Sequence, residues 1–278
     1  VRPRADEAGD VASRLKIHPA IAGILARRGY VEPERLDSFL NPSLNTLKDP
    51  FAFSQMRLAV DRIQAAVNAK QKILLYGDYD VDGITSAAML YPVLKKMGAD
   101  VDVHIPHRIE EGYGLNRASL ERLAKKKYKL VVTLDNGIGG VEEIEFLNSK
   151  RCDVVIVDHH LPKDVLPKAL AIVSAHADGR GDPDLAACGI TFKLVWALLG
   201  SLDAAKEFLD LAALGTVADL APVTGDNRIL IKEGLKTLSK ARRPGIKALF
   251  EVAQIHPAWV DSRDIAFGLG PRINASGR

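Results

Sequence analysis

The segment GDYDVDG (77–83) sets Asp78, Asp80 and Asp82 on alternate positions and closes on a glycine. Carboxylates packed this closely repel one another unless something cationic lies among them. The spelling D-x-D-x-D-G opens a calcium loop of the EF-hand type, which needs a preceding helix and a bidentate glutamate at its twelfth position. Counted from Asp78, the twelfth position is Met89, and KILLY (72–76) ahead of the acids is an apolar run of strand type. Both demands fail, so the cation must be held another way. Two more segments carry similar groups. KLVVTLD (129–135) ends in Asp135 and is followed by Asn136-Gly137, while DVVIVD (153–158) runs into Asp158-His159-His160.

Each of these groups follows a strand-like run, and an open parallel sheet binds ligands just beyond the carboxyl ends of its strands. If the three strands are neighbours, the acids and histidines converge at one sheet edge. Carboxylates with imidazole suit Mn²⁺ or Mg²⁺, and suit Zn²⁺ less well without thiolates. A cluster this anionic can hold two divalent ions ~3.5–4 Å apart with a carboxylate bridging them. A single aspartate after a strand is ordinarily a turn former or a cap; joint placement on three loops is what argues for metal. Asp219, in GTVADLAP, reads on its own as a helix end. His18, His104, His107, His176 and His256 lack neighbours of ligand type and read as structural or surface residues. There is no P-loop, no Rossmann glycine turn and no nucleophile elbow.

The elements that must position these groups are legible from periodicity. QMRLAVDRIQAAVNAK (55–70) puts Met56, Val60, Ile63 and Val67 on one helical face. Strands are expected at 72–76, 100–106, 129–135, 153–158 and 169–173, and helices at 84–98 and 116–126, the latter capped by Asn116. Strand–helix alternation at this spacing predicts an α/β fold, a parallel sheet with helices on both faces. From about residue 188 the pattern is helical, and GPRINASGR (270–278) reads as a glycine-rich cationic loop. The expected organisation is a helical and loop segment packing on the core (1–55), a catalytic domain (56–225), and a helical segment leading into a linker (226–278).

Of the 278 residues, 47% are hydrophobic, which marks an ordinary globular chain. The net charge of +3 is too mild to announce a nucleic-acid binder through bulk charge. No apolar run reaches the roughly 18–20 residues of a membrane span, and no secretory leader is visible. The two cysteines, Cys152 and Cys188, form no CxxC pair and fit a reducing cytoplasm.

Taken together, LNPSLNTLKDP (40–50), YGDYDVDGITS (76–86), IPHRIEEGYGLN (105–116), TLDNGI (133–138), VDHHLP (157–162), GTVADLAPVTGDNR (215–228) and FGLGPRINASGR (267–278) resemble the RecJ-type exonucleases of the DHH phosphoesterase superfamily. The resemblance implies a DHH-type parallel-sheet domain and a two-metal 5′→3′ exonuclease acting on single-stranded DNA with Mn²⁺ or Mg²⁺, in repair and recombination. It implies as ligands Asp78 or Asp80, Asp82, Asp135, His159 and Asp219, with Asp135 bridging. Where other DHH enzymes place a histidine, this chain has Tyr76, and Asp78 is expected to compensate. His160 is implied at the scissile phosphate. Arg108, Arg272, Asn274 and Arg278 are implied as contacts to DNA, and Tyr113 as a stacking surface. A monomer is expected, with a single-strand-binding protein as a candidate partner. The family carries a second α/β domain after the linker, so a fragment is expected. IVSAHADG (172–179) departs from the Asn-Pro usual after that strand. Two other readings stay open: a DHH phosphatase for short oligonucleotides, cyclic dinucleotides or pyrophosphate, and a non-catalytic strand-binding scaffold.

Overall fold

The computed structural model describes residues 5–276. The chain divides between Leu47 and Lys48 into two compact units. In the first, α1 (Ala5–Leu15), α2 (Pro19–Arg27) and α3 (Pro33–Leu40) surround a small core of Val11, Ala22, Leu25, Tyr30 and Leu36. His18 caps α2, its Nδ1 accepting from the Ala20 N–H at 3.2 Å, which bears out its structural assignment.

The second unit opens with α4 (Met56–Asn68) and then alternates β1 (Lys72–Gly77), α5 (Val81–Lys96), β2 (Asp100–His104), α6 (Arg117–Ala124), β3 (Leu130–Leu134), α7 (Val141–Ser149), β4 (Asp153–Val157) and β5 (Ala171–Val173). The strands form one five-stranded sheet in the order β2-β1-β3-β4-β5, every pair parallel. Strands β1, β3 and β4 are almost wholly buried, which explains their unbroken apolar spelling. Leu74, Tyr76, Val131, Val154 and Ile156 pack on Leu120 of α6 and on Ile144 and Leu147 of α7. Helices α4 and α5 contact the strands as well, as does α8 (Ala187–Leu199), a helix buried along most of its length. Helices α9 (Leu209–Ala218), α10 (Gly225–Leu238) and α11 (Pro244–Ala253) follow. No helix among the described residues is long and apolar enough to cross a membrane.

Two expectations need correction. Helix α5 begins at Val81, not at residue 84, because Asp80 caps it by accepting from the Asp82 and Gly83 N–H groups. Gly83, which looks like a turn residue, lies inside the helix: a Cβ there would stand 2.4 Å from the Asp78 nitrogen. Residues 270–276 are not a loop. After a π-helical stretch at Ile265–Leu269, Gly270–Ser276 forms a helix, α12. Its proline, Pro271, lies inside an unbroken helical run from Ser262 to Ser276 and so removes one N–H from the backbone ladder. Its first glycine permits close packing, since a Cβ on Gly270 would meet the Ala218 Cβ at 3.2 Å.

Candidate metal centre

Parallel register carries the three acid-bearing loops to one level. Gly77 pairs with Leu134, and Leu134 with Val157, as the last residues of β1, β3 and β4. The ladder then continues one step: Asp78 donates its N–H to the Leu134 carbonyl at 3.0 Å, and Asp135 to the Val157 carbonyl at 2.9 Å. Asp78, Asp135 and Asp158 therefore leave adjacent strands side by side. The strand order reverses between β1 and β3, the place where open α/β sheets form a crevice.

Local backbone aims each group inward. Asp135 has φ +64°, a left-handed conformation that aspartate tolerates better than most residues. The turn is closed by Thr133 Oγ1 donating to the Asn136 carbonyl at 2.8 Å, and Gly137 follows at φ +107°. A Cβ on Gly137 would stand 2.6 Å from Thr133 Oγ1, so this turn accepts only glycine. Asp82 is gripped by the start of α8. Its Oδ2 accepts from the Ala187 N–H at 2.8 Å and its Oδ1 from the Cys188 N–H at 2.7 Å. A helix N-terminus stabilises that carboxylate through its free N–H groups and its dipole.

Three overlapping ligand groups result, one of them made of Asp135, His159 and His160. Asp82, His159 and Asp219 have ligand atoms within 4.8 Å of one another, and so do Asp78, Asp80 and Asp135. His159 Nε2 lies 3.4 Å from Asp135 Oδ1 and 3.8 Å from both Asp82 Oδ2 and Asp219 Oδ2, so Asp135 stands between these last two groups. Asp135 Oδ1, Asp78 Oδ1 and His159 Nε2 are buried without hydrogen-bond partners. Orphaned acceptors of this kind are costly unless a cation satisfies them.

The electrostatics agree. Burial and the neighbouring Asp80 push the Asp78 carboxyl up to about 7. Burial, with Asp82 and Asp80, raises Asp219 to about 7 as well. Asp135 is driven well above the carboxylate range by burial and by Asp82. Burial lowers His159, which keeps its ring neutral and fit to coordinate. The donor set of carboxylates and one imidazole fits Mn²⁺ or Mg²⁺.

His160 differs from His159. Its Nδ1 lies 2.7 Å from Asp158 Oδ1, which also accepts the His160 N–H at 3.1 Å. Asp158 Oδ2 accepts from the Ile138 N–H at 3.0 Å. Burial opposes ionisation of Asp158, but the bonds from His160 outweigh it and hold the carboxyl low. The bond to Asp158 in turn raises His160. The sequence counted Asp158 with the potential metal ligands, but it joins none of the ligand groups and is bonded instead to His160 and the Ile138 N–H.

The sequence-predicted contacts fall in several places. Tyr113 reaches the site, its hydroxyl 3.1 Å from Nδ1 and 3.0 Å from Nε2 of His160. Asn274 Oδ1 accepts from the Val81 N–H at 3.1 Å, beside the aspartate loop. Arg108 is exposed and stacks over the Tyr79 ring, 4.9 Å from its centroid. Arg272 turns back on its own segment, donating to the Gly268 carbonyl at 2.8 Å. Arg278 lies outside the described residues. His104 has a partner of ligand type after all, Glu111 Oε2 at 2.8 Å, and neither residue belongs to a ligand group.

Comparison with known proteins agrees with this geometry. Residues 72–216 match the model of the DHH family, N-terminal domain. The single-stranded-DNA-specific exonuclease RecJ of Bacillus subtilis is 38% identical over 279 residues, covering 100% of this chain and 35% of that protein. A crystal structure of RecJ in complex with Mn²⁺ from Thermus thermophilus superposes with TM-score 0.80 at 31% identity, covering 99% of this chain and 39% of that one. A crystal structure of exonuclease RecJ bound to manganese gives TM-score 0.73 at 35% identity over 80% of this chain and 57% of that one. The chain thus spans about a third to a half of the length of the curated relatives it matches. All the candidate ligands but Asp219 lie within the matched segment, Asp219 standing three residues beyond it, and this chain belongs to the DHH family.

Proposed function

We propose that this chain carries the catalytic half of a metal-dependent phosphodiesterase that removes nucleotides from single-stranded DNA in the 5′→3′ direction. The observation that supports this best is the set of ligand groups meeting at Asp135, with three buried ligand atoms left without partners. Asp82, His159, Asp219 and Asp135 would hold one Mn²⁺ or Mg²⁺, and Asp78, Asp80 and Asp135 the other. Bound there, the ions supply a lowered pKa for attacking water and stabilise charge on the phosphoryl oxygens.

The remaining chemistry belongs to side chains. Asp158 accepts from His160 Nδ1, so the second imidazole proton is carried on Nε2 and can be given to a phosphate or leaving oxygen. A cavity of about 440 Å³ opens beside His160, lined by Tyr113, Ile138, Gly139 and Lys163, and would take the nucleotide being released. Exposed Tyr113 offers a ring to a base, and Arg108, Arg272 and Arg278 offer cations to phosphates. We take the active form to be a cytoplasmic monomer, with a single-strand-binding protein as candidate partner.

Digestion of a 5′-labelled single strand with Mn²⁺, with and without EDTA, tests the proposal. We expect release of the labelled nucleotide that EDTA abolishes. Cleavage of dinucleotides with no cleavage of long strands would favour a phosphatase instead.

A further inference from the structure

The segment joining β2 to α6 (105–116) brings Tyr113 to His160, yet its own sequence offers little stiffness. Tyr113 stands between Gly112 (φ +76°) and Gly114 (φ +80°), and a Cβ at either glycine would meet nothing within 4 Å. A Gly-Tyr-Gly display with open space around it stays in one place only if its ends are tied. Beyond it, the Tyr76 hydroxyl accepts from the Asn116 N–H at 3.2 Å and donates to the Gly114 carbonyl at 3.4 Å. Before it, the tie is Glu111.

Glu111 is an acidic residue with only 12% of its side chain exposed. Its Oε2 receives the Ser119 hydroxyl and lies 2.8 Å from His104 Nε2. Its Oε1 accepts from the His107 N–H at 3.3 Å. Its backbone is held too: the Glu111 N–H donates to the His107 carbonyl at 2.8 Å, and Asn116 Nδ2 donates to the Glu111 carbonyl at 2.9 Å. Arg122 donates to Ser119 Oγ at 3.0 Å, completing the network from α6. Partial burial disfavours the charged carboxyl, but the bonds from Ser119 and His104 more than offset it. One carboxylate therefore joins the end of β2, the first turn of α6 and the loop between them.

We propose that Glu111 is a positioning residue for the site: clasped by Ser119, His104 and the His107 N–H, it holds the Gly112–Gly114 loop so that the Tyr113 hydroxyl meets His160. Its kinetic consequence rests on the hydrolytic function proposed above; its structural consequence does not. Glu111→Gln keeps the shape and removes the charge that three donors share, so the loop loosens while the metal ligands keep their own supports.

The test measures amide hydrogen exchange, Mn²⁺ affinity and single-strand hydrolysis for the parent, Glu111→Gln, Tyr113→Phe and the double variant. We expect exchange across 107–115 to quicken about tenfold in Glu111→Gln and Mn²⁺ affinity to stay at the parental value. We expect kcat to fall about tenfold in each single variant and no further in the double, because both lose one contact. Where Glu111→Gln fails to fold, Ser119→Ala keeps the carboxylate and gives the same readouts. Unchanged loop exchange, or additive losses in the double variant, would overturn the proposal. If the parent hydrolyses no strand, the hydrolytic function fails by itself and loop exchange alone decides whether the clasp exists.

Discussion

Asp158 and His160 are joined twice: Oδ1 of the aspartate lies 2.7 Å from the imidazole Nδ1 and accepts the His160 N–H at 3.1 Å. One oxygen therefore sets the backbone turn and the ring orientation together. Asp158 belongs to none of the ligand groups. Asp158→Asn preserves the shape and removes the charge that holds the proton on Nδ1. We expect kcat to fall on the order of 10²-fold, the size of a general acid's contribution. Calorimetry should find Mn²⁺ binding unaltered; lost binding would mean that Asp158 supports the ligands instead.

Removing metal should make stability strongly dependent on pH. Asp78 and Asp219 are raised to about 7 in the fold, against an ordinary value of 3.8. A raised folded pKa means that the folded state binds protons more tightly, so its contribution is complete below pH ~4 and is lost as pH rises through 7. Metal-free protein should therefore weaken between about pH 4 and pH 8, and added Mn²⁺ should restore most where the carboxylates are ionised. Thermal unfolding at about pH 5.5 and about pH 8, with EDTA or Mn²⁺, checks this. The gap in Tm between the two should be wider at the higher pH, and an equal gap would refute it.

Gly83 lies inside α5 with no room for a side chain. Its added Cβ would press on backbone atoms of Asp78, at 2.4 Å from the nitrogen and 2.6 Å from the oxygen. Neither neighbour can swing away as a side-chain tip would. We expect Gly83→Ala to cost about 3 kcal/mol and to weaken Mn²⁺ binding by displacing Asp78. Chemical denaturation and calorimetry measure the two effects separately.

Helix α8 supplies the N–H groups that grip Asp82, and it is anchored in turn by Lys193. That ammonium is 1% exposed, lies 2.8 Å from Asp226 Oδ2 and donates to the Lys48 carbonyl. Lys193→Met leaves a buried carboxylate unpaired, at a cost of about 3–5 kcal/mol. Pairing it with Asp226→Leu should recover most of that loss in urea unfolding. No recovery would mean that the ion pair does not account for it.

Much of the site was legible because a parallel sheet turns strand ends into neighbours. Asp78, Asp135 and the Asp-His-His segment each follow a buried apolar run, and register then sets them side by side. Three things escaped local pattern. Gly83 and Gly270 spell turns, but both serve close packing inside helices, a tertiary demand with no local signature. Asp219 closes α9 as an unremarkable helix end, and only the folding of that helix beside α5 brings it to His159. The anchoring of Asp82 by α8 links residues more than a hundred positions apart, beyond the reach of any local motif.

The central claim is that two ions share Asp135, and counting Mn²⁺ by calorimetry in the parent and in Asp135→Ala tests it most directly. The parent should bind two ions. The variant loses the one carboxylate that stands between both ion sites and leaves the others mutually repulsive, so both sites should fail or weaken on the order of 10²-fold or more. An Asp135→Ala protein that still takes up two Mn²⁺ with parental affinity would contradict the shared-ligand arrangement.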